Sequence, residues 1–312
     1  MALASAPYHA SIPNEPVAQA YWGKAADGIN IRVAHWAVPD SKGTILMFPG
    51  RSEYIEKYAV TAGDFAEHGY GMFAIDWRGQ GLADRLVNNP LAGYIADFAD
   101  YQKDLAAARE IAVELDLPKP WYLLGHSMGG CIGLRALLMG LPVKAAAFSG
   151  PMWGLGSTPL VRTFGKWLGC AVSAVGQGHL FAPGASDKIY VLEDPFEENL
   201  LTTDRAMYVR MQEQARANPE LMIAGFTYRW AYEALKECAR LKKAPSPDIP
   251  CFTILGTDED IVNPLGVTDR MDRWPNGTLM MIDKGQHEVL MDSAAMRGPA
   301  IAGMAALFGQ HV

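Results

Sequence analysis

Residues 121–131 read WYLLGHSMGGC, and the rest of the chain is arranged around them. Trp121–Leu124 is an apolar run of strand type, Gly125-His126-Ser127-Met128-Gly129 turns sharply, and Cys131–Met139 has the composition of a buried helix. Strand, tight G-x-S-x-G turn and helix make a nucleophile elbow. The shape matters because a serine hydroxyl is a weak nucleophile: the turn lifts Ser127 Oγ out of the sheet toward a base and a substrate. Gly125 and Gly129 leave room where side chains would collide. The same turn aims the N–H of Met128, at a helix start, toward the charge that develops on an attacked carbonyl oxygen. A bare pentapeptide match arises by chance, and it is the flanking strand and helix that give it meaning.

The 312 residues carry 27 Lys and Arg against 34 Asp and Glu, a net charge of −7. Without a basic stretch to neutralise phosphates, nucleic acid is excluded as a partner. The acidic balance also disfavours electrostatic docking on anionic membranes but leaves apolar contact with lipid open. The first twenty residues hold Pro7, Pro13, Glu15 and Pro16 and no basic start before an apolar run, so no secretory signal is read there. Apolar runs elsewhere are short or interrupted by His126, Arg135 or Lys144. The expectation is a soluble cytoplasmic protein, at most peripheral at the inner face of the membrane. The four cysteines, Cys131, Cys170, Cys238 and Cys251, form no CxxC pair and read as free, mostly buried thiols.

Upstream of the elbow, Gly28–Val38 alternates like a half-exposed antiparallel strand, and Thr44–Phe48 is a short β-rich run ending in Pro49-Gly50-Arg51. A buried strand that ends in a glycine loop is the place for a second oxyanion donor, assigned to the N–H of Arg51. Ile55–His68 reads as a helix, Gly71–Ile75 as a strand, and Asp76-Trp77-Arg78-Gly79-Gln80-Gly81 as a hinged loop. Asp76 and Arg78 are expected to fix loop backbone rather than act on substrate. Asp97–Leu117 has helical spacing, and Val143–Ser149 is a further strand. This βαβαβ alternation implies an α/β fold with a mainly parallel sheet covered by helices on both faces.

The pattern breaks from Pro151 to Ser246, where periodicity is helical, and Ala244–Pro250 returns the chain to β-runs at Cys251–Leu255 and Thr278–Ile282. Residues 151–246 are therefore expected to form a helical cap over Ser127, with residues 1–150 and 247–312 as the core. In the cap, Leu160, Val161, Phe164, Trp167, Leu168, Ala171, Val172 and Val175 share one helical face, with Arg162 and Lys166 off it. That face is expected to pack on the cap's own core in preference to lipid. Pro264–Trp274 and Met296–Phe308 read as the last helices.

A serine nucleophile needs an imidazole to take its proton and a carboxylate to hold the imidazole, in chain order nucleophile, acid, base. Of seven histidines, only His287 lies in a loop after the last strand. His126 is locked into the elbow and His179 sits in the cap. Three carboxylates, Asp258, Glu259 and Asp260, follow the penultimate strand, and only one can face His287 without crowding by like charge. Counting from the strand-ending Gly256 selects Glu259, with Asp258 the alternative and Asp260 solvated. The preceding loop, Ser149-Gly150-Pro151-Met152, has no carboxylate to offer. No metal or organic cofactor is called for.

With these residues assembled, the chain resembles the α/β-hydrolase superfamily, in its branch of bacterial lysophospholipases and monoacylglycerol lipases. FPGRSEYIEKY (48–58), DWRGQG (76–81), GHSMGG (125–130) and HEVLMD (287–292) look like that branch's motifs in order, while NLLTTDRAMY (199–208) and GFTYRW (225–230) look specifically like the lysophospholipases. Ala83 replaces a usual serine, and Glu259 stands where many relatives have aspartate. The resemblance implies a mostly parallel eight-stranded sheet with a helical cap inserted after strand six. It also implies a serine esterase acting on monoacyl lipids. A small-ester or lactone hydrolase, an acyltransferase and a non-catalytic binding protein are the rival readings.

Overall fold

The computed structural model describes residues 3–10, 15–156 and 159–312. Pro13 lies outside the described residues, as do the side chains of Leu160, Val161 and Arg162. Eight strands form one sheet in the order β1-β2-β4-β3-β5-β6-β7-β8. They are β1 (Gln19–Lys24), β2 (Asn30–Trp36), β3 (Thr44–Phe48), β4 (Gly71–Asp76), β5 (Trp121–His126), β6 (Ala146–Ser149), β7 (Cys251–Gly256) and β8 (Gly277–Ile282). β2 runs antiparallel to β1 and β4, and every other pairing is parallel.

The interior strands β3, β4 and β5 are buried along their whole length, as strands covered on both faces must be. Their side chains alternate between two cores because strand residues point to opposite faces in turn. Leu46, Phe48, Phe73, Ile75 and Leu123 enter one core, while Ile45, Met47, Met72, Ala74 and Leu124 enter the other. The first core receives α2 (Tyr101–Glu114) and α3 (Met128–Leu138) through Leu105, Ile111, Ile132 and Leu134. The second receives α1 (Ala59–Glu67) and a C-terminal helix, Ala294–Gly309, through Phe65, Ile301 and Phe308.

Between β6 and β7 the named elements are all helical: α4 (Pro159–Ala174), α5 (Tyr190–Glu193), α6 (Arg205–Ala217), α7 (Tyr228–Lys243) and short 3-10 turns. The helices α8 (Pro264–Met271) and α9 (Ala294–Gly309) complete the chain. The insertion is stitched to the core through backbone. Gly93 N–H donates to Gly225 O at 2.9 Å, Thr227 N–H to Gly93 O at 3.0 Å and Ala224 N–H to Leu91 O at 2.7 Å.

Two expectations need correction. β1 went unread, because its pattern, with Ala20 its one buried residue and both ends exposed, carries no clear period. The apolar stripe also does not pack as one face: in α4 Leu168, Ala171 and Val172 are half-buried, whereas Phe164 and Trp167 are 59% and 66% exposed and Val175, one residue past the end of α4, is 72% exposed. A stripe this wide exceeds what α7, its partner, can cover.

Candidate active site

Ser127 stands between β5 and α3 with φ 49° and ψ −118°, a conformation that L-residues adopt only under constraint. The constraint is close packing around the glycines. A Cβ on Gly129 would fall 1.9 Å from Phe48 O, and one on Gly125 would fall 2.9 Å from the Gly130 Cα. The elbow therefore seats directly against the end of β3, with Ser127 N–H bonded to Ser149 O at 3.1 Å and Ser127 O accepting Met152 N–H at 2.9 Å.

Ser127, His287, Arg51 and Met128 line one cavity of about 1010 Å³ beneath the helical insertion. His287 Nδ1 is 2.7 Å from Glu259 Oε2. Glu259 Oε1 accepts the N–H groups of Ile261 at 2.7 Å and Val262 at 3.0 Å. Burial works against the Glu259 carboxylate, but His287 and these two N–H donors outweigh it and hold its pKa below the ordinary value. Asp258 and Asp260 are exposed. Of the three candidate acids, Glu259 is the one that meets His287, and the left-handed Gly150 (φ 47°) makes room for the pair.

Met128 opens α3, where first-turn N–H groups lack intrahelical acceptors. Among the described residues no acceptor takes the Arg51 N–H. His126 is buried, with its ring 4.8 Å from that of His287. Burial pushes its pKa down; because a carbonyl oxygen can only accept, its Nδ1–H donates to Ser149 O at 2.9 Å, and it takes no place in the Glu259–His287 pair. His179 is exposed. Asp76 and Arg78 hold structure as expected: Asp76 accepts the N–H groups of Ile55 and Leu82, both at 2.9 Å, and pairs with Arg32, while Arg78 pairs with Asp104 and Asp27.

Three features escaped sequence reasoning. Beside the cavity, Lys57 Nζ lies 2.8 Å from Glu53 Oε1 and 2.7 Å from Glu288 Oε1. Glu53 also accepts from Tyr58 OH at 2.5 Å and from Gly50 N–H. Glu53, His126 and Glu288 have the ligand types of a metal site, with atoms within 4.8 Å of one another, yet the cation held between the two carboxylates is the Lys57 ammonium. The i,i+4 spacing of Glu53 and Lys57 was the available signal.

The second feature is a strap. The N–H groups of His287 and Glu288 donate to Leu200 O at 3.3 Å and Leu201 O at 2.7 Å. Asp292 accepts Thr202 Oγ1 at 2.9 Å and Thr203 N–H at 2.7 Å. The insertion thereby fixes the loop that carries His287. The third feature is the Arg51 side chain, whose Nη1 donates to Ala224 O at 2.7 Å.

The family described as "Serine aminopeptidase, S33" matches residues 39–294. The sequence is 29% identical to lysophospholipase L2 of Escherichia coli over 304 residues, covering 91% of this chain and 86% of that protein. It is 28% identical to a probable lysophospholipase of the same type from Haemophilus influenzae over 276 residues, 86% and 85% of the two chains. Among solved structures, a soluble variant of the Saccharomyces cerevisiae monoglyceride lipase has a TM-score of 0.72 at 18% identity, covering 98% of both chains. The Paleococcus ferrophilus monoacylglycerol lipase has a TM-score of 0.67 at 18% identity, over 90% of this chain and 98% of that one. These two structural likenesses are likenesses of fold.

Proposed function

This chain belongs to the serine aminopeptidase family of α/β-hydrolases, a carboxylic ester hydrolase in the lysophospholipase and monoacylglycerol lipase-like branch, and from that premise we propose its substrate and mechanism. The substrate is a monoacyl lipid, a lysophospholipid or a monoacylglycerol, cleaved through an acyl-enzyme intermediate. Residues 151–246 act as the cap, and residues 1–150 and 247–312 as the hydrolase core.

Ser127 Oγ attacks the acyl carbonyl as His287 takes its proton. Glu259 holds the imidazole by its Nδ1 side and stabilises the imidazolium that forms. The N–H groups of Arg51 and Met128 receive the oxyanion. His287 then protonates the departing alcohol, and water, deprotonated by the same imidazole, releases the fatty acid. The observation that carries this reading is the buried contact of 2.7 Å between Glu259 and His287, the imidazole that lines the same cavity as Ser127. The apolar lining, including Met152, Leu155 and Leu168, supports an acyl chain as the bound group.

Fatty-acid release from lysophospholipid and monoacylglycerol, compared between wild type and Ser127→Ala, tests the proposal. Wild-type turnover that Ser127→Ala abolishes, together with Ser127 labelling by a fluorophosphonate, is the expected result. Turnover retained by Ser127→Ala removes the mechanism. Faster cleavage of acetyl than decanoyl esters replaces the lipid by a small ester or lactone. Acyl products formed with an added alcohol replace hydrolysis by transfer. Absence of labelling leaves a binding protein. Cleavage of an aminoacyl anilide in preference to any ester makes the family's descriptive name the better guide.

A further inference from the structure

Arg51 is the one cavity-lining cation of the site whose charge is not met by an acid among the described residues. Lys57 lies between two carboxylates, whereas among the described residues no carboxylate pairs with the Arg51 guanidinium and its one hydrogen bond is to Ala224 O. Its central carbon is 5.5 Å from the Trp230 ring centre and 5.9 Å from that of Phe226. Burial pushes its pKa down to about 10, which still leaves it charged at neutral pH. A guanidinium has five N–H donors, so most of this one's capacity is unspent.

Arg51 is half-buried in the cavity wall, and a charge drawn partly out of water without a counter-ion carries a desolvation cost. The hydrogen bond to Ala224 and the ring contacts alone could be supplied by a neutral side chain at lower cost. An anion entering the cavity would supply the counter-charge and take the remaining donors. The position limits which anion. Arg51 follows Gly50, whose Cβ, were there one, would lie 3.0 Å from the Ser127 Cβ. The Arg51 backbone thus borders the nucleophile, and its guanidinium reaches along the same cavity to Ala224, Phe226 and Trp230. In a lysophospholipid the phosphate is one glycerol backbone from the scissile ester. Elsewhere in the lining, Glu53 and Glu288 with Lys57 sum to one negative charge, Lys188 pairs with Glu193, and Asp194 adds a further negative charge, so Arg51 is where an anion finds an unmatched positive charge.

We propose that the Arg51 side chain is an anion subsite for the phosphodiester of a monoacyl phospholipid, so that the cavity favours lysophospholipid over monoacylglycerol. The inference rests on the lipid-hydrolase reading above. Arg forms forked, charge-assisted hydrogen bonds with phosphate oxygens that lysine cannot reproduce.

The test compares kcat/KM on lysophosphatidylglycerol and monoacylglycerol of one acyl chain, below their micellar concentrations, for wild type, Arg51→Lys and Arg51→Met. The ratio of the two values falls roughly 10- to 100-fold in Arg51→Met, chiefly through KM for the phospholipid, with Arg51→Lys between. On wild-type protein alone, dodecyl phosphate competes with a soluble ester more strongly than dodecanol does. A ratio unchanged in both variants, with both substrates losing kcat equally, makes the side chain a loop brace and overturns the proposal. Equal competition by phosphate and alcohol does the same. Wild-type protein that releases fatty acid from neither lipid overturns the lipid-hydrolase reading itself, an outcome separate from a lost ratio.

Discussion

Oε2 of Glu259 meets Nδ1 of His287 at 2.7 Å, and the adjacent Asp258 side chain points into solvent instead. Glu259→Gln is therefore expected to lower kcat by ~10³- to 10⁴-fold, the scale on which a mispaired imidazole tautomer acts. Asp258→Asn leaves kcat at the wild-type level. Steady-state hydrolysis of a soluble acyl ester checks both, and the reverse pattern assigns the acid to Asp258.

Gly150 has φ 47° and a Cβ position 3.2 Å from both His287 Nδ1 and Glu259 Oε2. Gly150→Ala combines backbone strain with displacement of the pair, so it lowers stability by ~1–2 kcal/mol and activity along with it. Gly140, at φ 86° with nothing within 4 Å, isolates the strain: Gly140→Ala loses ~1 kcal/mol with unchanged kcat. Urea unfolding and ester kinetics on the two variants separate the effects.

Burial opposes the Glu53 carboxylate, but Lys57, His126 and Tyr58 outweigh it, and its pKa falls from 4.5 to about 2. A carboxyl held lower in the folded than in the unfolded chain stabilises fully above the unfolded value and loses that contribution as pH drops through the folded one. The wild-type urea midpoint should therefore fall between pH 4.5 and about 2. Glu53→Gln should be less stable at pH 7 and flatter across that window. A parallel acid slope in both proteins assigns it to other carboxylates.

Trp167 on α4 and Val175, one residue past its end, are 66% and 72% exposed. Replacing both by serine should change stability by no more than ~0.5 kcal/mol. Turnover of a soluble short ester stays at the wild-type value. Sedimentation with phosphatidylethanolamine–phosphatidylglycerol vesicles should weaken about tenfold or more if this surface meets lipid. Unchanged sedimentation removes the membrane-contact reading of the cap.

Legibility in the sequence followed how local each signal is. The elbow was readable because its requirements lie within eleven consecutive residues: an apolar strand, two glycines that tolerate backbone contact, and a helix start. The interior strands were readable because burial on both faces leaves continuous apolar runs. The edge strand β1 was not, since half of its surface is solvated. The α4 stripe misled because an apolar period states only that one face is apolar, not whether a partner is wide enough to cover it. No helix among the described residues is long and apolar enough to cross a membrane.

From the sequence alone came the α/β alternation, the serine, the histidine and a choice among neighbouring carboxylates, because chain order and turn chemistry are local properties. Tertiary structure alone decided which carboxylate is buried against His287, that the Lys57 ammonium bridges two acids separated by 235 positions, and that Arg51 has no acidic partner among the described residues. Each of these depends on distance and desolvation between residues remote in the chain, and the cost of burying a charge is set by what the folded chain places beside it.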